Sequence, residues 1–142
     1  MYLRLFKELS SSDVSIAGGK GASLGELTQA GIAVPPGFVV LASVFERFLD
    51  ETGLNVEIDA ILDSVNHDSI YTVERASEKI KALILKEEMP EDIALEIGLF
   101  FTNLNAKYVA VRSSATAEDS VSAAWAGQLE TYLNTTQENL LE

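Results

Sequence analysis

Tyr108-Val-Ala-Val-Arg112-Ser-Ser-Ala-Thr-Ala-Glu-Asp119, continuing to Trp125-Ala-Gly-Gln-Leu-Glu-Thr131, is the stretch whose reading decides the fold. It opens with an apolar run, Tyr108 to Val111, that is rich in strand-favouring residues and short for a helix, so a buried strand is expected there. That strand delivers Arg112 to its end. From Ser113 to Ala126 the residues are mostly small or hydroxyl-bearing, with Gly127 closing the loop. Backbone amides and hydroxyls in such a loop can face a ligand with little side chain intervening. A guanidinium fixed beside it suits phosphate, because arginine offers planar, permanently charged donors and a concave run of N–H groups adds partial positive charge. Taken alone, the same residues also fit a surface cation followed by an ordinary flexible loop.

Upstream, Gly18-Gly-Lys-Gly21 leads into Ala22-Ser-Leu-Gly-Glu-Leu-Thr-Gln-Ala30. Ala22, Leu27 and Ala30 fall roughly on one helical face, and Gly31 stands where a left-handed cap is expected, with Ile32 able to fold back on it. This is a glycine turn feeding a helix N-terminus. It departs from the Walker pattern, because Gly21 follows Lys20 and Val14 occupies the place of the first glycine. It also departs from the dinucleotide fingerprint, because Leu24 stands where the third glycine belongs. The chemistry is still apt for an anion: glycines allow close backbone approach, a helix N-terminus favours negative charge, and the Lys20 ammonium adds a point charge.

Around these two stretches the remaining elements follow from local signals. Met1 to Phe6 alternates and predicts a short strand. Val34-Pro-Pro-Gly37 is a rigid turn ahead of a strand over Phe38 to Leu41, and Ser43 to Glu46 has the form of a capping box for a helix carrying Phe45, Phe48 and Leu49, ended by Gly53. Further helices are expected over Val56 to Val65, Tyr71 to Lys86 (stripe Val73, Ala76, Ile80, Leu83, Ile84), and from Pro90 through Ile93, Ile97, Phe100 and Leu104. Their apolar stripes predict core packing. Gln128 to Leu133 reads as a strand that pairs with the one before Arg112 or with a neighbour. Thr135-Thr-Gln-Glu138 has the form of a capping box, so a new helix is expected to start close to Glu142, as in a piece of a longer chain.

Composition narrows the function. One compact domain or part-domain is expected for 142 residues. A net charge of −12 argues against a polynucleotide partner, which needs clustered Lys and Arg to neutralise phosphates. No cysteine is present, which excludes disulfides, thiolate nucleophiles and sulfur-ligated metals. No apolar run is long enough to span a bilayer and no signal sequence is evident, so a cytoplasmic location without membrane association is expected. His67, the single histidine, lies in Ser64-Val-Asn-His-Asp-Ser69 without partners at metal-ligand or nucleophile spacing and reads as a surface residue. Glu118 and Asp119 read as solvated or capping acids.

Gly18-Gly-Lys-Gly-Ala-Ser-Leu-Gly-Glu-Leu27, Val34-Pro-Pro-Gly-Phe38, Val111-Arg-Ser-Ser-Ala-Thr-Ala-Glu-Asp119 and Ala126-Gly-Gln-Leu-Glu-Thr-Tyr-Leu133 occur in this order. Together they resemble the N-terminal nucleotide-binding region of the phosphoenolpyruvate synthase and pyruvate phosphate dikinase family, which also includes rifampin phosphotransferase. The resemblance implies an α+β fold, the N-terminal subdomain of an ATP-grasp domain with a small mixed sheet and packed helices, spanning residues 1–142 as part of a longer multidomain chain. It implies that Lys20 and Arg112 contact ATP phosphates and that Gly127, Gln128 and Thr131 belong to a glycine loop over the polyphosphate. No catalytic residue is expected in this stretch. ATP is the implied ligand. The Mg2+ ligands, the second ATP-grasp half, the phosphohistidine domain and the domain that binds pyruvate are expected elsewhere, and His67 does not match the phosphohistidine motif. The implied reaction converts ATP, pyruvate and water to phosphoenolpyruvate, AMP and phosphate, with this piece inactive alone and weak or silent toward ATP. Ser120-Val-Ser-Ala-Ala-Trp125 departs from the family's usual Leu-Pro and Ala-Ser-Phe, which leaves the phosphoryl acceptor open. A dikinase, an antibiotic phosphotransferase or a non-catalytic domain that keeps the fold are the alternatives.

Overall fold

A computed structural model describes residues 2–116 and 129–141. The chain divides into two units, residues 1–44 with 91–142, and residues 45–90.

The first unit opens with β1 (Leu3–Leu5), then a short 3₁₀ turn at Phe6–Glu8 and another at Ser11–Asp13 that leads directly into α1 (Val14–Gln29). Each turn is closed by an acid that accepts a backbone N–H three residues back: Glu8 from Leu5 at 2.8 Å and Asp13 from Ser10 at 2.8 Å. After α1 the chain returns through the Pro35-Pro36-Gly37 turn as β2 (Phe38–Val40), which pairs antiparallel with β1, Leu3 opposite Val40 and Leu5 opposite Phe38. Gly31 takes φ +75°, and the bonds Gly31 N–H to the Thr28 carbonyl and Ile32 N–H to the Leu27 carbonyl close α1 in the left-handed cap expected from sequence. Ile32 itself stays half exposed.

Strand alternation in β2 feeds two small cores. Phe38 packs with Leu3, Val44, Ile93 and Ile97, where its ring meets Phe100 edge-on at 5.4 Å. Val39 packs on the other side with Leu9, Ala17 and Leu41. The helix that supplies Ile93 and Ile97, α5 (Glu91–Leu104), places Glu91 and Asp92 in its first turn, which suits the helix dipole. Pro90 lies just outside this helix. After α5, Asn105 takes the left-handed conformation, and β3 (Val109–Arg112) pairs antiparallel with β4 (Thr131–Thr135).

Both ladders among the described residues are two-stranded and antiparallel, which replaces the expected small mixed sheet with two separate strand pairs in an α+β arrangement. Beyond β4, residues 137–141 form a turn; Thr136 N–H donates to Asn139 Oδ1 at 2.7 Å. The expected helix start is thus a single capped turn, shifted by one residue from the Thr135 and Glu138 pairing.

The second unit holds most of α2 (Ala42–Thr52), then α3 (Leu54–Asp63) and α4 (Ile70–Lys86). Because α2 begins at Ala42, Ser43 lies inside its first turn rather than at the cap position expected for it. Gly53, at φ +72°, ends α2 and precedes α3. Leu54 and Ala76 are buried, whereas Val56, Ile70, Tyr71 and Val73 are exposed, so the helical stripes expected to form core are only partly covered. His67 lies exposed in the loop between α3 and α4. No helix among the described residues is long and apolar enough to cross a membrane.

Two glycines make opposite demands. A Cβ on Gly25 of α1 would lie 2.5 Å from the Leu9 carbonyl oxygen and 2.6 Å from Leu9 Cβ, whereas a Cβ on Gly98 of α5 would meet nothing within 4 Å. Gly25→Ala is therefore expected to destabilise the fold by about 1–3 kcal/mol through overpacking. Gly98→Ala is expected to stabilise it by about 0.5–1 kcal/mol through helix propensity. Urea midpoints of the two variants check this pair, and equal shifts in the same direction would contradict the packing described for α1.

Candidate functional site

The Gly18-Gly-Lys-Gly21 turn is a break inside α1. Gly18 takes φ +72° and ψ 167°, so the first turn of helix, Val14 to Ala17, stops and a second stretch begins after it. The first amides of such a stretch lack acceptors within their own helix. A serine or aspartate at the cap would normally supply one, but position 18 has no side chain.

The acceptors come from the loop after β3. Gly21 N–H donates to Ser114 Oγ at 3.0 Å and Gly19 N–H donates to the Ala115 carbonyl at 3.1 Å. The Ser114 hydroxyl in turn donates to the Ala17 carbonyl at 2.8 Å, the carbonyl left over where the first helical turn ends. A Cβ on Gly18 would overlap both the carbonyl oxygen and Oγ of Ser114. Glycine at 18 thus provides the backbone conformation and the room for the approach. Gly18, Gly19 and Gly21 are buried, and Lys20 among them is half-buried.

Arg112 ends β3 two residues before Ser114, and its partner across the ladder is Thr131, the first residue of β4. Both are exposed. Ser113 N–H donates to the Glu130 carbonyl at 3.2 Å, which extends the pairing one step past Arg112. Further along, the four residues of β4 from Tyr132 to Thr135 cover the three of β3 from Val111 to Val109, and Asn134 at φ +56° is the left-handed residue in the strand that carries the extra one.

Three of the five residues proposed from sequence, Lys20, Arg112 and Thr131, are therefore linked through one continuous hydrogen-bonded path, from the α1 turn through 113–115 to the start of β4. Gly127 and Gln128 lie outside the described residues, as do Glu118, Asp119 and Trp125. Ser114 and Ala115 are the contributors that sequence reasoning did not single out. The available signal was Gly18 itself: a helix start whose cap position has no side chain needs an acceptor from elsewhere in the fold. Among the described residues, no group of three or more His, Asp or Glu is placed to hold a metal ion.

The sequence matches the family described as the pyruvate phosphate dikinase AMP/ATP-binding domain over residues 14–142. The chain belongs to this family. It is 47% identical over 139 residues to a probable phosphoenolpyruvate synthase of Methanothermobacter thermautotrophicus, covering 94% of this chain and 20% of that protein. To a probable phosphoenolpyruvate synthase of Methanocaldococcus jannaschii it is 48% identical, with 94% and 12% covered. To the phosphoenolpyruvate synthase of Aquifex aeolicus it is 42% identical, with 89% and 16% covered. The chain spans a fifth or less of the length of these relatives. The glycine turn of α1 carries Lys20, and the loop that docks on it follows Arg112 directly in the chain.

Beside Arg112 and Thr131, the Tyr132 hydroxyl donates to the Glu130 carboxylate. That hydrogen bond, and secondarily the carboxylate's charge, hold the phenol above the ordinary tyrosine value of 10.0. A raised value in the folded chain means that the contact contributes stability below the ordinary tyrosine range, and that this contribution is lost as pH rises through the folded value. In Glu130→Gln the Tyr132 ring signals followed by NMR are expected to titrate at lower pH than in the parent chain. An unchanged titration would show that Glu130 does not set it.

Proposed function

We propose that residues 1–142 are the N-terminal part of an ATP-grasp domain, and that Lys20 and Arg112 hold the ATP polyphosphate in a phosphoenolpyruvate synthase-like phosphotransferase. The observation that carries this reading is the docking of the Lys20 turn onto the loop that follows Arg112, in a chain whose family is named for AMP and ATP binding.

The chemistry fits the residues. Lys20 supplies a compact ammonium and Arg112 a planar fork, the two cation types suited to adjacent phosphate oxygens. Thr131 adds a hydroxyl directly across from Arg112. Gly127 and Gln128 would complete the cover over the polyphosphate. Phosphoryl transfer asks the protein mainly for positioning and charge stabilisation, which is what two fixed cations provide.

In the complete enzyme, one phosphoryl group of ATP would pass to a histidine carried by another domain and from there to pyruvate, giving phosphoenolpyruvate, while water would take the other phosphoryl group, with release of AMP and phosphate. Bound Mg2+ would neutralise phosphate charge, with ligands supplied outside the described residues. The relatives' names favour pyruvate as acceptor over inorganic phosphate or an antibiotic. Cytoplasmic location is part of the same reading, since ATP and pyruvate are cytoplasmic metabolites.

ATP titrated into the isotopically labelled chain, at concentrations up to the millimolar range, is expected to bind weakly and to shift the amide signals of Lys20, Arg112 and Thr131. Lys20→Ala and Arg112→Ala are each expected to weaken binding about tenfold, the scale of one charge-assisted hydrogen bond. Lys86→Ala, on α4, should leave it unchanged. ATP binding that neither of the first two substitutions weakens would overturn the assignment.

A further inference from the structure

The helix that carries Lys20 is capped by a residue 93 positions away in the chain. Ser114 Oγ both accepts from the Gly21 amide and donates to the Ala17 carbonyl, so its only proton and an acceptor site are engaged on the two sides of the Gly18–Lys20 segment. Two such bonds fix the oxygen in position relative to that segment. The same stretch of backbone continues to the Ala115 carbonyl, which takes the Gly19 amide, and back through Ser113, whose N–H reaches the Glu130 carbonyl. Arg112 lies immediately before Ser113. The backbone of each cation is thus held by the same three residues, 113–115.

We infer that Ser114 is the positioning residue of the polyphosphate site. It acts through Lys20 and Arg112 by fixing the α1 turn against the end of β3, and the inference rests on the nucleotide reading above. A second consequence comes with it. The Gly19 and Gly21 amides, which in a glycine-rich phosphate loop would face the anion, are engaged by Ala115 and Ser114, so the side chains rather than these two amides contact the phosphates. The glycines serve the approach of the protein's own loop. The rival arrangement has residues 114–115 acting as a plug that ATP displaces to free those amides. The close fit of Ser114 against Gly18, where even a methyl group has no room, favours a permanent contact.

The test uses the 142-residue chain, with amide exchange followed by NMR and ATP and AMP titrations. In the parent chain the Gly19 and Gly21 amides are expected to exchange slowly, because at a helix start they are held by the Ala115 carbonyl and the Ser114 hydroxyl. Adding ATP should leave them protected. Ser114→Ala should speed Gly21 exchange by about tenfold, the order expected for one lost hydrogen bond. It should also weaken ATP binding by about tenfold while changing AMP binding by less than about twofold, since AMP lacks the two outer phosphates that a misplaced pair of cations would lose. Gly18→Ala, which blocks the approach through backbone rather than hydroxyl, should give the same split between ATP and AMP.

A general loss of structure would lower both nucleotides together and would overturn a positioning role. Faster exchange of Gly19 and Gly21 on addition of ATP would overturn the permanent contact in favour of the plug. ATP binding that is weakened by Lys20→Ala and Arg112→Ala but untouched by Ser114→Ala and Gly18→Ala would overturn the role of Ser114 and leave the nucleotide site standing. ATP binding that neither Lys20→Ala nor Arg112→Ala weakens would overturn the nucleotide reading and this inference with it, however slowly the two amides exchange.

Discussion

The Ser114 hydroxyl, held between the Ala17 carbonyl and the Gly21 amide, is the contact on which the arrangement of the site depends. It resolves a problem created by Gly18. The left-handed conformation there breaks α1, leaving the Ala17 carbonyl behind and the Gly19 and Gly21 amides ahead, each on a buried residue. Buried peptide groups need partners, and an unpaired one costs on the order of 1–3 kcal/mol. One hydroxyl from a distant loop satisfies one group on each side of the break. The helix break and the loop position therefore stabilise each other.

The same economy of side chain explains why α1 packs as it does. Its buried residues are Ala17, Gly18, Gly19, Gly21, Ala22 and Gly25, a face with almost no bulk. Leu27 and Ala30, which a search for apolar periodicity places on the inner face with Ala22, are exposed. Hydrophobic spacing is a guide to faces that pack by inserting large side chains. Here the helix packs by letting other backbone come close: Leu9 against Gly25, and Ser114 against Gly18. The glycines at 18, 21 and 25 repeat at helical spacing and mark that face, but their signal is the lack of a side chain.

Much of the fold was legible because it is local. The left-handed cap at Gly31, the end of α2 at Gly53 and the acidic first turn of α5 all follow from residues within a few positions of one another, whereas the partner of the strand after the loop stayed open between the strand before Arg112 and a neighbour until the structure paired β4 with β3. What was not legible depends on distant partners. The separation of the strands into two antiparallel ladders is set by which edges meet, and no residue in Leu3–Leu5 or Val109–Arg112 encodes that alone. The stripes of α3 and α4 predicted burial from periodicity, yet Val56 and Tyr71 remain exposed, because a stripe specifies a face without supplying its cover. At the site, Lys20 and Arg112 stood out as cations beside small residues. Ser114 did not, since a serine in a polar loop looks the same whether it caps its own turn or a helix 93 residues away.

The charge of the chain gives that fixed geometry its importance. With a net charge of −12, these 142 residues taken together repel a nucleotide polyphosphate, so their long-range field works against the encounter that the proposed function needs. That repulsion is screened over about 8–10 Å at physiological salt, whereas close pairing between a cation and a phosphate oxygen persists at contact distance. Attraction therefore has to come from a few short contacts. Cations on flexible loops would lose much of that gain in ordering long side chains and backbone together. With the backbone on either side of Lys20 tied to Ser114, and that of Arg112 tied into the β3 and β4 ladder, binding as proposed would leave only the side chains to be ordered. An acidic protein with two cations on rigid supports can hold an anion that its overall field disfavours.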